Sequence, residues 1–217
     1  KTVFITPGMG SDKGSLQPKD MVPTDLDGKP RAGKEGPPVE WPIHTALHGA
    51  RPDALAVAHL HTPYATLFTI AKRKFQPVTL QGAMFGDGVP LYPEAQLITN
   101  PARGEALLKV MVDKRAVLLR GHGIVVAGQN LQEVLYSALV LEDDAKKSWQ
   151  AAALGEVGTL TDEECRAFGA EIALERRAQR AWNYFCSLEK RWDRQPSTGR
   201  SELFNAAVPL ASFRSKR

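Results

Sequence analysis

The chain has 217 residues, 43% hydrophobic and 24% charged, a make-up that suits one globular domain with a full core better than two small ones. No run approaches the roughly 18 consecutive apolar residues of a membrane-crossing helix, so no membrane partner is expected. The net charge is +4, from 28 basic and 24 acidic residues, but acidic residues interrupt the C-terminal basic surplus and no module pairs it with stacking aromatics, which excludes a nucleic-acid reader. The surplus reads instead as a solvated helix face or as an attraction for an anionic substrate. Cys165 and Cys186 share no metal or redox spacing, which points to a reducing, cytoplasmic setting. Because the chain enters a strand-like run directly after Lys1, it reads as a fragment or processed form whose N-terminal segment is missing.

In chain order, residues 2–6 read as a strand leading into the loop Pro7-Gly-Met-Gly-Ser11, and Asp25-Leu-Asp-Gly28 is a turn followed by a Gly/Pro-rich loop to Pro38. Residues 40–50 carry Ile43, Ala46, Leu47 and Ala50 on one helical face, with Pro42 tolerated in the first turn. An apolar strand over 53–61 follows, and Thr62-Pro63 opens a helix to Arg73. Residues 78–81 and 89–92 read as short strands around 82–88. Asn100-Pro101 caps and opens a helix to about Lys114. Residues 117–119 and 124–127 are strands flanking Arg120-Gly-His-Gly123. Asn130 and Glu133 form a capping box for a long helix whose Leu131, Val134, Leu135, Ala138, Leu141, Ala145 and Trp149 have core spacing. Thr161 and Glu164 repeat the box and open one charged helix to about Trp192. The organisation expected is a single domain over 1–192 and an extended tail over 193–217, with mixed strands and helices in a layered α/β sandwich.

His59 and His61 are the most informative residues. The period of two in a strand sends both imidazoles to one face. With His122, from the distant glycine-flanked segment, they make a three-nitrogen set for a divalent metal. Three protein ligands and an open position are the pattern of a catalytic centre. Neutral imidazoles favour zinc, and manganese, iron or cobalt also fit. Glu40, His44 and His48 are spaced four apart on one helix face. His48 reads as a surface histidine, and His44 as a residue orienting a ligand or the substrate. Glu40 by itself reads as an ordinary first-turn glutamate. Arg120 suits either a bidentate grip on a substrate carboxylate or a structural ion pair.

Pro38-Val-Glu-Trp-Pro-Ile-His44, His59-Leu-His61 and Arg120-Gly-His-Gly123 occur in order, with Asp25-Leu-Asp-Gly28 before them. In this order and spacing the chain resembles the class II aldolase/adducin family, from about Val3 to Gly155. The resemblance implies an αβα sandwich around a largely antiparallel sheet, assembled as a homotetramer with active sites at subunit interfaces. It implies that His59, His61 and His122 bind the metal and that Glu40 is the catalytic acid/base. Sugar-phosphate aldolases of the family carry a Ser-Ser pair before that glutamate to help hold the phosphate, and here the pair is Pro38-Val39. Their interfacial tyrosine falls within two residues of Tyr92, which becomes a substrate-binding candidate. The helix containing residues 141–155 and Arg180-Ala-Trp-Asn-Tyr184 look more like the decarboxylase branch, which makes Trp182 and Tyr184 candidates at the site mouth unless they are only the apolar side of the last helix. The function expected is a metal-dependent carbon–carbon lyase. Non-oxidative decarboxylation of a hydroxylated aromatic or ring-cleavage acid, by way of an enediolate-like species, is favoured over a class II aldolase. An adducin-like scaffold without catalysis is the further alternative, although a scaffold has no need of three histidines and a glutamate.

Overall fold

The computed structural model describes residues 1–8, 14, 16–33, 36–71, 73–171 and 173–193. The tail expected beyond residue 193 lies outside them.

Two strands, β1 (Val3–Ile5) and β2 (Val22–Thr24), pair antiparallel as a separate small sheet. The second strand was not expected, because Pro23 sits at its centre. The main sheet has four strands: β3 (Ala56–Leu60), β4 (Leu91–Tyr92), β5 (Ala116–Leu119) and β6 (Gly123–Gly128), in the order β3-β6-β5-β4. Pairings β3–β6 and β6–β5 are antiparallel and β4–β5 is parallel, so the sheet is largely antiparallel.

Helices cover both faces. The alternation along β5 and β6 places Ala116, Leu118, Ile124 and Val126 in one core with Val134, Ala138, Leu141 and Ala145 of α4 (Leu131–Ala151) and Ala65 and Phe68 of α2 (Pro63–Ile70). Val117, Leu119, Val125 and Ala127 point the other way. They meet Ile43 and Leu47 of α1 (Trp41–Ala50), and Leu107 and Met111 of α3 (Pro101–Met111). The result is an αβα sandwich with β5 and β6 buried on both sides. Among the described residues, no helix is long and apolar enough to cross a membrane.

Several elements depart from their sequence pattern. Residues 78–81 form no strand, because the Asp144 carboxylate takes the Val78 and Thr79 amides at 3.0 and 2.9 Å, and a 3-10 turn over Gly82–Phe85 follows. The charged helix expected over 161–192 is two helices, α5 (Asp162–Glu171) and α6 (Leu174–Asp193), since the first packs on that 3-10 turn and the second on α4. Leu131 and Trp149 are 61% and 53% exposed rather than core, Trp149 resting on Tyr64 with ring centroids 5.6 Å apart. Asn100 and Asn130 accept the Arg103 and Glu133 amides at 3.0 and 2.8 Å, as helix caps do. Val112, just past α3, has φ 51°, a conformation unfavourable for a β-branched residue. The half-buried ring of His48 contacts the Ala54 carbonyl through Nδ1 at 2.7 Å and is not a surface group.

Candidate metal centre

Four side chains converge at one end of the sheet. Glu40 is the N-cap of α1 but does not cap it; Oε1 instead accepts the Ile98 amide at 2.9 Å, which aims Oε2 toward β3. The neighbouring Trp41 is covered by the turn ending at Gly28, which has φ 80°, and a Cβ at Gly28 would lie 2.3 Å from the indole. His59 stands on the sheet face that α1 covers, one residue before β3 ends. Its Nδ1 meets the Ile124 carbonyl at 3.1 Å, so Nδ1 carries a proton and Nε2 is the nitrogen turned toward the site. His61 lies just past β3 and is exposed, while His122 lies in the turn before β6. Gly123 is obligatory there, because a Cβ would come 2.3 Å from the Leu60 carbonyl oxygen.

The Nε2 atom of His61 is 3.2 Å from that of His59 and 3.0 Å from that of His122. Glu40 Oε2 lies 3.3 Å from His59 Nε2 and 3.5 Å from His122 Nε2, and the four donor atoms fall within 4.8 Å of one another. A tetrahedral ion with bonds of about 2.0–2.1 Å holds its donors roughly 3.3 Å apart, which the four spacings of 3.0–3.5 Å approach. Lone pairs crowded this closely repel unless a cation or shared protons lie between them. Burial holds the Glu40 carboxyl up, but the His59 hydrogen bond, the Ile98 amide and the charges of His59 and His122 outweigh it and bring its pKa from 4.5 to about 2. Burial depresses His122, helped by the neighbouring His59 and His61 and opposed by Glu40, which favours the neutral imidazole a metal needs.

The other expected site residues are placed differently. His44 is half-buried one turn after Glu40 on α1. Arg120 is exposed two residues before His122. Its Nε donates to the Pro93 carbonyl, and among the described residues it has no ion pair, so its outer nitrogens remain available. Tyr92 is a core residue, 2% exposed, with its hydroxyl 3.5 Å from Glu94. Trp182 and Tyr184 lie on α6, where Tyr184 packs edge-on against Phe185 at 5.4 Å. Among the described residues, no hydrogen bond, ion pair or ring contact joins either of them to the four-residue cluster.

Three supports were missed in the sequence. Glu142 of α4 accepts the Tyr64 and Ala65 amides at 2.8 and 2.9 Å and so anchors the start of α2 directly after His61. It takes the place of Thr62 as helix cap, which leaves the buried Thr62 Oγ1 without a hydrogen-bond partner among the described residues. The Thr69 hydroxyl accepts the Gly121 amide at 2.9 Å beside His122. Ile98 orients Glu40. Only the Thr62–Thr66–Thr69 spacing, one face of a helix, signalled any of this in advance.

Comparison with known proteins bears on what this cluster is. The chain is 33% identical over 153 residues to a 3,4-dihydroxyphthalate decarboxylase of Arthrobacter keyseri, covering 66% of this chain and 61% of that one. It is 29% identical over 162 residues to a 5-deoxy-D-ribulose 1-phosphate aldolase of Bacillus thuringiensis, covering 75% of each. Among solved structures it is similar to an L-fuculose 1-phosphate aldolase, with a TM-score of 0.70 and 29% identity over 78% of this chain and 83% of that one. The chain spans 53–61% of the length of three 3,4-dihydroxyphthalate decarboxylases that it matches. The family model described as the class II aldolase and adducin N-terminal domain matches residues 1–149, and the chain belongs to that family.

Proposed function

We propose that the chain is a metal-dependent carbon–carbon lyase, most simply a non-oxidative decarboxylase of a hydroxylated aromatic or ring-cleavage acid. The observation that carries the lyase reading is the convergence of the His59, His61 and His122 Nε2 atoms, that of His61 lying 3.2 and 3.0 Å from the other two, with Glu40 Oε2 beside them. The three histidines would hold a divalent ion, with zinc favoured. When bound, such an ion supplies a Lewis acid for the electron density left when a carbon–carbon bond breaks.

Glu40, a carboxylate facing the His59 and His122 rings, enters turnover ionised, so its first act is to accept a proton. A substrate hydroxyl is the fitting donor. Glu40 then returns that proton to the carbon that loses carbon dioxide, and the oxygen regains a proton from solvent. Arg120 beside His122 offers guanidinium nitrogens for a substrate carboxylate. Assembly as a homotetramer, with 1–192 as one domain, completes this reading.

Two observations favour decarboxylase over aldolase. Pro38-Val39 provides no hydroxyl for a phosphate next to Glu40, and relatives at 31–35% identity are named as decarboxylases. The aldolase relatives, aligned over three quarters of both chains, support the second reading. Product analysis decides. Purified protein is offered dihydroxyphthalate-like acids and ketose 1-phosphates in parallel, and carbon dioxide from an acid is expected. Cleavage of a sugar phosphate to dihydroxyacetone phosphate, with no carbon dioxide from any acid, would make the aldolase reading correct.

A further inference from the structure

We propose that Thr69 is a positioning residue: the threonine face of α2 sets the spacing between the His61 and His122 loops. The observations form a continuous chain of contacts. Thr62 directly follows His61, and its carbonyl accepts the Thr66 hydroxyl at 2.5 Å. The Thr66 carbonyl accepts the Thr69 hydroxyl at 2.8 Å. Thr69 Oγ1 then accepts the Gly121 amide at 2.9 Å, and Gly121 directly precedes His122.

The polarity is consistent at every link. Each hydroxyl donates backward to the carbonyl three or four residues earlier, the usual back-bond of a helical threonine, which leaves the Thr69 oxygen lone pairs facing forward. Thr69 is 4% exposed, so the Gly121 amide is aimed at a buried oxygen and not at solvent. Gly121 itself has φ 64°, which lets the turn bring its amide to Thr69. At the other end of the helix, Glu142 clamps the Tyr64 and Ala65 amides, so α2 cannot slide along its axis. The eight-residue helix is therefore pinned at both ends, with one metal-site loop attached to each. His61 Nε2 and His122 Nε2, 3.0 Å apart, are the pair this arrangement holds.

This inference rests on the metal reading above, and the test separates the two. Cobalt(II), whose visible absorption reports ligand geometry, is loaded into wild-type, Thr69→Val and Thr69→Ser protein, and its affinity is measured by chelator competition. Valine keeps the shape and removes the acceptor. Thr69→Val is expected to bind cobalt on the order of 10-fold more weakly with shifted bands, and Thr69→Ser to recover wild-type affinity and spectrum. Equal affinity and unchanged bands in Thr69→Val overturn the proposal while leaving the metal site standing. Wild-type protein that binds no cobalt overturns both. Should Thr69→Val not fold, amide hydrogen exchange in the wild type decides: slow exchange at Gly121 is expected, and exchange at the rate of an open turn overturns the proposal.

Discussion

Glu40 and His59 meet across the junction of α1 and β3, with Oε2 3.3 Å from Nε2, so the residue that starts a helix and one that nearly ends a strand share a single contact. Each is held from behind by main chain: Glu40 by the Ile98 amide, His59 by the Ile124 carbonyl. The pair is thus positioned by the fold before any ligand arrives, which is the preorganisation that acid–base chemistry requires.

Replacing Glu40 with Gln keeps the shape and removes the proton acceptor. Turnover of the accepted substrate falls on the order of 100-fold or more, while the metal content by elemental analysis is retained. Near-normal turnover would take Glu40 out of the mechanism.

The double variant His59→Ala/His61→Ala removes two of three nitrogen donors. The purified protein loses its metal, and its far-ultraviolet circular dichroism is unchanged, because neither side chain lies in the buried core. Full stoichiometric metal in this variant would refute the ligand assignment.

His48 gives a pH signature away from the cluster. Burial, reinforced by Lys1, holds its pKa below the ordinary 6.5, although the Ala54 carbonyl opposes the shift. The unfolded chain therefore binds a proton at a higher pH than the folded one. The contribution of His48 is complete above 6.5 and is lost as pH falls through 6.5 toward the lowered value. Urea midpoints followed from about pH 7.5 to 5 fall in the wild type, and fall less steeply in His48→Gln. Parallel profiles would show that the ring is not held neutral.

Val112→Gly relieves the φ of 51° at a residue 59% exposed, where little packing is forfeited. The stability gain is about 1 kcal/mol after the added freedom of the unfolded chain is counted, read as a higher urea midpoint at unchanged slope. A lower midpoint would mean that the valine side chain contributes packing that outweighs its strain.

The cluster was legible where local rules suffice. The period of two in a strand paired His59 with His61, a glycine-flanked turn singled out His122, and resemblance to a family supplied Glu40. What could not be read depended on partners far along the chain. Residues 78–79 have strand composition, yet their amides are claimed by Asp144, a carboxylate on another element. Tyr92 lies in the expected stretch, but whether it faces substrate or core depends on which helix covers β4, and here the core that includes Leu107 of α3 covers it. In the acidic run Glu142-Asp143-Asp144, Glu142 and Asp144 turn inward to hold backbone whose position depends on the fold.

That inward turn of Glu142 has a consequence for the order of events during synthesis. A nascent chain that has emerged through β6 already carries Glu40, His59, His61 and His122. It still lacks the carboxylate that fixes the start of α2, which lies 78 residues beyond Tyr64. Until α4 is complete and packed, the loop bearing His61 is tethered at one side only, and so long a closure is slow compared with local helix formation. On the proposed metal reading, tight capture of the ion would be a late event in the life of the chain, and a fragment ending before α4 holds all four side chains without the frame that spaces them.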